Sequence, residues 1–264
     1  MTATAAGASF APGRRTVAHR TLAETAARRY ALAGADEVLA WAAACFGDRI
    51  AVAASMADTA LPHLVAQHVP GVDVLFIDTG YHFAQTLQTR AEAARRLDVT
   101  VVDVRSDLGV AEQDEAFGAD LFARDPAACC RMRKVEPLRR ALAGYDAWVT
   151  GIRRDEAPTR VATPLVEWDE TFGLVKINPL AAWSAADVET YVASHVLPTN
   201  ALLSQGYPSI GCAPCTRPVA EGEDPRSGRW SGLAKTECGL HPAPPSGPHP
   251  STPDPTTDPA QESR

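Results

Sequence analysis

The chain has 264 residues, of which 45% are hydrophobic, and this suffices for one sizeable α/β domain with tails. Its formal net charge of −7 argues against broad nucleic-acid binding, although a local basic pocket is compatible with it. No apolar run approaches the roughly 18–20 residues that a membrane span needs. Residues 1–20 contain no apolar stretch of signal-peptide length, so we expect a cytoplasmic protein.

Helices and strands are predicted to alternate between two tails. Residues 1–20 are predicted to form a flexible leader, and residues 242–264, with their many prolines, a disordered tail. Hydrophobic periodicity predicts helices over residues 21–46, 58–69, 83–97, 131–143 and 185–195, and strands at 49–54, 72–77, 99–104, 147–152 and 174–177. This alternation predicts, over residues 21–241, an α/β domain with a mainly parallel, doubly wound sheet and helices on both faces.

Three loops follow predicted strands at the carboxyl edge of this sheet, where ligands bind in folds of this kind. They span residues 54–58, 78–82 and 151–155. Taken singly, each loop is also compatible with a helix cap, an ordinary strand end or a solvated arginine pair. Together they would form a crevice of acidic, hydroxyl and guanidinium groups, which suits a ribose and an anion.

Four cysteines occur in two tight pairs, Cys129-Cys130 and Cys212-Ala-Pro-Cys215. In a reducing compartment, clustered cysteines are more often metal ligands or redox groups than structural disulfides. Such a set suits an iron–sulfur cluster or zinc, and the adjacent pair favours iron because zinc normally uses matched knuckles. Lys134 lies one helical turn beyond Cys130, so it should face the same side of the helix.

The two remaining cysteines, Cys238 and Cys45, have different expected roles. Cys238 is left over as a candidate nucleophile, and Arg226 and Arg229 would raise its thiolate fraction or bind an anionic substrate. His241 could lie beside it in a turn. The alternative is an incidental thiol near the end of the chain. Cys45 lies in an apolar run and is predicted to be a buried packing residue.

These residues together resemble the assimilatory sulfonucleotide reductases. Within that family they look like the iron–sulfur branch, the thioredoxin-dependent adenosine 5′-phosphosulfate reductases of bacteria. The similarity runs from Leu39 to His241. Its most specific elements are residues 129–138 (CCRMRKVEPL), 151–154 (GIRR), 211–215 (GCAPC), 226–230 (RSGRW) and 237–241 (ECGLH).

The resemblance implies a fold like that of the adenine-nucleotide alpha hydrolases and the reduction of adenosine 5′-phosphosulfate to sulfite and AMP in assimilatory sulfate reduction, which leads to cysteine biosynthesis. Thioredoxin would be the electron donor, and the reaction would pass through an S-sulfonate on Cys238. The implied ligands of a 4Fe–4S cluster are Cys129, Cys130, Cys212 and Cys215. The implied phosphosulfate site consists of Lys134, Arg226, Arg229 and His241, with Lys134 between cluster and substrate. The implied nucleotide-pocket residues are Asp58, Thr79 and Arg154.

Three alternatives remain at this point. Related enzymes that use 3′-phosphoadenosine 5′-phosphosulfate generally lack both cysteine pairs, so the pairs favour the substrate without a 3′-phosphate. An adenylating or sulfur-transfer enzyme would typically carry a Ser-Gly-Gly-x-Asp-Ser loop, whose glycines residues 54–59 lack. A zinc-stabilised interaction module is disfavoured by the net acidity.

Ala54 stands where the family usually has a serine, so backbone N–H groups would replace that hydroxyl. No thioredoxin-like domain is fused, so the reductant is expected to be a separate protein.

Overall fold

The computed structural model describes residues 12–220, 222–232, 235, 237, 239 and 240. The predicted tail over residues 242–264 lies outside the described residues, and so do Cys238 and His241. The structure corrects the boundary of the predicted leader over residues 1–20, because helix α1 already begins at Pro12. This helix packs on the strands at one edge of the sheet, and its residues Ala23 and Ala26 are buried.

The helices are α1 (Pro12–Arg29), α2 (Ala35–Phe46), α3 (Ala60–Ala66), α4 (Ala84–Arg96), α5 (Val110–Phe117), α6 (Leu121–Arg124), α7 (Pro126–Cys130), α8 (Glu136–Leu142) and α9 (Ala185–Ser194). The strands are β1 (Ile50–Ala53), β2 (Val72–Asp78), β3 (Val99–Arg105), β4 (Ala147–Thr150), β5 (Val166–Asp169) and β6 (Leu174–Ile177). A π-helical turn, Arg131–Val135, joins α7 to α8. None of the described helices is both long enough and apolar enough to cross a bilayer.

The strands form one six-stranded sheet in the order β3-β2-β1-β4-β6-β5. Every neighbouring pair is parallel except β5 and β6, which are antiparallel. The chain winds outward from β1 to β3 and then returns to place β4 on the other side of β1. The carboxyl ends of β1 and β4 therefore flank a topological switch point, where ligands bind in doubly wound sheets. This confirms the predicted α/β class and the mainly parallel sheet.

Helices cover both faces of the sheet because the strand residues point alternately to either side. Ile50 and Val52 of β1 belong to the larger core cluster, which includes residues of helices α1, α2 and α3. Ala51, between them, belongs to the opposite cluster, where Leu138 and Leu142 of α8 pack. The central strands β1 and β4 are thus buried on both faces, as their near-continuous apolar composition indicates.

Several elements differ from the predictions. Helix α5 and strand β5 were not predicted. The helix predicted over residues 131–143 begins as the π-helical turn, and the helix predicted over residues 21–46 is divided between α1 and α2. The structure also corrects Cys45, which is exposed rather than buried. Cys45 lies about 100° around α2 from the buried Phe46, and this places its side chain outside the buried stripe of that helix.

Candidate functional site

A cleft of about 710 Å³ opens at the carboxyl ends of β1 and β4. The three loops predicted to form a ligand crevice all contribute to its lining, for example through Asp58, Thr79 and Arg153. Apolar side chains form part of the wall, including Leu61, Phe76, Ile152, Leu180 and Val188. The cleft therefore offers both an apolar surface for a flat ring and polar groups for a sugar and an anion.

Asp58 lines the cleft as predicted, immediately before helix α3. Its carboxylate accepts a hydrogen bond of 2.9 Å from the backbone N–H of Ala60. Burial raises the pKa of Asp58, and this effect outweighs the lowering by that hydrogen bond and by the charge of Arg153. Because burial disfavours the charged form of Asp58, a hydrogen bond donated by a ligand hydroxyl would stabilise its carboxylate.

The structure corrects the prediction for Arg154. In the described part of the chain, Arg153 lines the cleft and Arg154 does not. The Nε of Arg154 instead donates a 2.8 Å hydrogen bond to the carbonyl of Thr163. Arg153 has extended backbone angles, in which consecutive side chains point to opposite sides. Arg153 is held by ion pairs with Asp155 and Glu156, at 3.1 and 3.4 Å.

The first cysteine pair, Cys129-Cys130, ends helix α7, whose start the sequence specifies clearly. Asp125 caps its N-terminus by accepting a 2.9 Å hydrogen bond from the N–H of Ala128, and Pro126 occupies the first turn. The following π-helical turn is closed by the N–H of Glu136, which donates to the carbonyl of Arg131. Pro137 provides no N–H for the regular α-helical pattern, so the wider turn is tolerated there.

The other cysteine pair lies on a short turn that the rest of the site holds in place. The N–H of Cys215 donates a 2.9 Å hydrogen bond to the carbonyl of Cys212. The N–H of Ala213 donates to the carbonyl of Tyr81 at 2.7 Å, and the N–H of Trp230 donates to the carbonyl of Cys215 at 3.0 Å. Backbone hydrogen bonds thus fix this pair beside the loop that follows β2.

All four cysteines line one small cavity next to the cleft. Cys129, Cys130 and Cys212 are buried, and Cys215 is partly buried. Burial, followed by the three neighbouring thiols, raises the pKa of Cys129 to about 12. Within the described part of the chain, no three histidine, cysteine or acidic side chains meet closely enough to hold a single metal ion.

Arg133, from the π-helical turn, also lines the cysteine cavity and is only 4% exposed. Its guanidinium donates hydrogen bonds to the carbonyls of Thr79 and Leu108 and to the side chain of Gln113, and it lies over the ring of Tyr81. All of these partners are uncharged. A buried cation among uncharged partners favours an anionic occupant of the cavity that it borders.

Thr79, Lys134 and Cys212 line both the cysteine cavity and the cleft, so they form the wall between them. The position of Lys134 on this wall agrees with its expected place on the same side of the helix as Cys130. Thr79 is 1% exposed, and its hydroxyl lies 3.3 Å from the sulfur of Cys212 and accepts a hydrogen bond from the N–H of Tyr81. The side chain of Thr79 thus contacts the cysteine site, whereas the resemblance places it in the nucleotide pocket.

Arg226 and Arg229, predicted to bind an anion, both line the cleft. The guanidinium of Arg229 lies across Gly211 and donates a 3.2 Å hydrogen bond to the hydroxyl of Ser209. Arg226 forms an ion pair of 3.2 Å with Glu237. The remaining predicted catalytic residues, Cys238 and His241, lie outside the described residues.

Sequence reasoning missed two cleft residues that bind one another, Arg160 and Glu237. They form a bidentate ion pair, with N–O distances of 2.9 and 2.8 Å. Glu237 is part of the Glu-Cys-Gly-Leu-His segment, and its position next to Cys238 was the available signal. Arg160 follows the arginine pair Arg153-Arg154 in the sequence, but nothing local indicates a partner 77 residues away.

Comparison with curated proteins finds close relatives over most of the chain. The adenosine 5′-phosphosulfate reductase of Mycolicibacterium smegmatis is 57% identical over 222 residues, which cover 84% of this chain and 94% of that protein. The enzyme of the same name from Streptomyces coelicolor is 55% identical over the same shares. The relative from Mycobacterium tuberculosis, also named adenosine 5′-phosphosulfate reductase, is 52% identical over 239 residues.

Comparison with solved structures agrees. The phosphoadenylyl-sulfate reductase of Candida auris, in a phosphate complex, is 27% identical with a TM-score of 0.63, and the match covers 80% of this chain and 100% of that one. The FMN adenylyltransferase of Candida glabrata, at 14% identity and a TM-score of 0.52, shares the fold alone. The model of the phosphoadenosine phosphosulfate reductase domain matches residues 49–218. The chain therefore belongs to the phosphoadenosine phosphosulfate reductase domain family.

Proposed function

We propose that this protein reduces adenosine 5′-phosphosulfate to sulfite and AMP in assimilatory sulfate reduction, with thioredoxin as electron donor. The observation that carries the proposal is the shared wall formed by Thr79, Lys134 and Cys212, which joins a four-cysteine cavity to a nucleotide-sized cleft. The relatives that carry this name cover almost the whole domain. We also propose a cytoplasmic location, since the reaction needs reduced thiols.

The cleft supports the binding of an adenosine phosphosulfate in one orientation. Asp58, near the end of β1, would accept hydrogen bonds from a ribose hydroxyl, and the apolar wall would contact the adenine ring. Lys134, Arg226 and Arg229 would bind the phosphosulfate, with His241 as a further donor. Because Lys134 lies on the shared wall and the charge of Arg229 acts on Cys215, the reactive sulfur would lie closest to that wall.

The four cysteines suit a 4Fe–4S cluster better than a zinc ion. Soft thiolate ligands select iron–sulfur clusters and zinc, but zinc normally uses matched knuckles, and the adjacent pair Cys129-Cys130 departs from that pattern. A four-cysteine iron–sulfur cluster is net anionic, which suits a cavity that the buried cation Arg133 borders. When bound, this anionic cluster would supply a local negative field that keeps Lys134 oriented at the wall. Arg133, buried among uncharged groups, would provide part of the opposing charge.

The proposed reaction proceeds through three displacements at sulfur. The Cys238 thiolate attacks the sulfur of the substrate, the bond from sulfur to the phosphate oxygen breaks, and AMP leaves with the electron pair. Lys134, Arg226 and Arg229 stabilise the charge that develops on that oxygen. A thioredoxin thiolate then attacks the Cys238 sulfur of the S-sulfonate, and sulfite leaves. The second thioredoxin cysteine resolves the mixed disulfide, so that two thiols are oxidised as sulfate-level sulfur becomes sulfite.

The test is an assay of sulfite release by anaerobically purified protein, with adenosine 5′-phosphosulfate or its 3′-phosphorylated form, each with and without thioredoxin. We expect release only from the first substrate and only with thioredoxin. Iron and acid-labile sulfide should be present in equal amounts, about four of each per chain. The Cys238→Ser variant should bind AMP but form no protein-bound sulfonate. Cys45→Ser, which removes an exposed thiol outside the cleft lining, is the matched control.

Each outcome decides one part of the proposal. Preferential turnover of the 3′-phosphorylated compound would replace the proposed substrate by the one in the family's name, and equal turnover would remove the proposed selectivity. Zinc without sulfide would remove the cluster. A sulfonate adduct detected by mass spectrometry on the Cys238→Ser variant would remove Cys238 from the role of nucleophile.

A further inference from the structure

Glu237, the residue before the proposed nucleophile, is bound to the cleft wall by several side chains. Its carboxylate accepts hydrogen bonds from Arg160 at 2.9 and 2.8 Å, and from the hydroxyl of Thr159 at 3.2 Å. It also accepts a hydrogen bond of 3.2 Å from Arg226. Both oxygens of this one carboxylate are therefore used, and each has at least two donors.

The ion pair is sheltered from water, which makes it stronger than an ordinary surface pair. The side chains of Glu237 and Arg160 are 10% and 11% exposed, and that of Arg226 is 17% exposed. Burial raises the pKa of Glu237, but the hydrogen bond and charge of Arg160 and the charge of Arg226 outweigh it, and the pKa is lowered. Breaking a sheltered, bidentate pair of this kind leaves a charge unpaired in a poorly solvated place.

A second contact holds the same segment on the other side of Cys238. Leu240 lines the cleft and packs against the core cluster that contains Leu75 and Trp148. An ionic contact at residue 237 and an apolar contact at residue 240 thus bind the described residues on either side of Cys238 to the cleft. The apolar contact is only partly buried, so the ion pair is the more specific of the two.

We propose that Glu237 is a positioning residue, an inference that rests on the proposed function. The ion pair of Glu237 with Arg160 anchors the segment that carries the nucleophile to the cleft wall. Glu237 does not touch the reacting atoms in this role. Arg226 connects the anchor to the substrate site, because one guanidinium would bind both Glu237 and the phosphosulfate. Substrate binding and anchoring of the segment are thereby linked through a single side chain.

The Glu237→Gln variant tests this because it keeps the shape of the side chain and removes its charge. The segment should be released more often, so alkylation of Cys238 by iodoacetamide, followed on its own peptide by mass spectrometry, should be about tenfold faster. The kcat for sulfite release should fall by a similar factor. The Kd for AMP should stay the same or decrease, because Arg226 no longer shares its charge with a carboxylate.

This division between kcat and AMP binding separates positioning from a loss of structure, which would weaken both. Glu237→Asp should recover part of kcat. Arg160→Gln should have the effect of Glu237→Gln, and combining the two should add little, as expected for partners in one interaction. Glu170→Gln is the matched control, because Glu170 pairs with Arg20 on a distant exposed surface. Far-UV circular dichroism and iron content verify that each variant is folded and loaded.

An alkylation rate for Glu237→Gln equal to that of the wild type, or weaker AMP binding alongside lower kcat, would overturn the anchor. The alkylation and AMP measurements require no turnover. If the wild-type protein releases no sulfite from adenosine 5′-phosphosulfate, the proposed function fails, whereas the anchor is still decided by the alkylation rates.

Discussion

Gly211 offers a test of the substrate site that leaves every charged residue in place. A Cβ atom added to Gly211 would lie 2.2 Å from Nη2 and 2.5 Å from Cζ of Arg229. Ordinary contacts to a Cβ are 3.4 Å or longer, so in Gly211→Ala the guanidinium must move by about 1.2 Å, the difference between 3.4 and 2.2 Å. The clashing atoms are the far end of a flexible side chain, so the backbone need not move.

The displacement should cost substrate affinity and little stability. A hydrogen bond to a charged group contributes about 1.5–3 kcal/mol, which corresponds to a factor of about 10 to 100 in an equilibrium constant. We therefore expect the KM for adenosine 5′-phosphosulfate to rise by about 10- to 100-fold in Gly211→Ala. The melting temperature should change by less than about 3 °C.

Steady-state sulfite release and binding of AMP by calorimetry measure this effect. Iron content is measured as well, because Gly211 precedes Cys212. Gly144→Ala is the matched control, since a Cβ at Gly144 would meet no atom within 4 Å. Gly228→Ala provides the opposite contrast, because its Cβ would lie 2.3 Å from the backbone carbonyl oxygen of Arg217 and should destabilise the fold. An unchanged KM in a folded, iron-loaded Gly211→Ala variant would refute the role assigned to Arg229.

Two further predictions follow from local geometry. Thr79→Val removes a hydroxyl that contacts Cys212 and accepts a hydrogen bond from the N–H of Tyr81. Because this hydroxyl is used within the protein, the affinity for AMP measured by calorimetry should stay within about twofold of the wild type. Binding that is about tenfold weaker would assign the hydroxyl to the nucleotide instead. Val196 is 72% exposed and has a φ of 50°, a conformation that costs a β-branched residue about 1–2 kcal/mol. Val196→Gly should therefore raise the melting temperature by about 1–3 °C. The control is Val161→Gly, which should lower the melting temperature, because Val161 is 68% exposed but has an unstrained φ of −55°. A lower melting temperature for both variants would contradict the strain at Val196.

The sheet could be predicted because its central strands carry a signal that is local in sequence. The apolar runs in β1, β2 and β4 indicate strands buried on both faces, and the intervening helices indicate parallel crossovers. Strand β5 lacks that signal, because Val166–Asp169 is short, lies at the edge and alternates apolar with acidic residues. Its pairing depends on the neighbouring β6, which no local pattern reveals.

In the candidate site too, sequence patterns predict local features but not contacts between distant parts of the chain. The two cysteine pairs were found from their spacing, and the fold brings them to one cavity. The choice between Arg153 and Arg154 depends on the phase of an extended segment, and composition does not fix that phase. The pair of Arg160 and Glu237 joins residues far apart in the chain, so only the folded arrangement brings it to light.

The extra residue in the turn Arg131–Val135 fixes the length of the segment around it. Upstream, Cys129 and Cys130 must face their cavity, while downstream Leu138 and Leu142 must pack on the sheet. Each residue of an α-helix advances the direction of its side chain by about 100°. Shortening this segment by one residue would therefore turn one of these two groups away from its partner. Insertions and deletions should be excluded here even where individual side chains can vary.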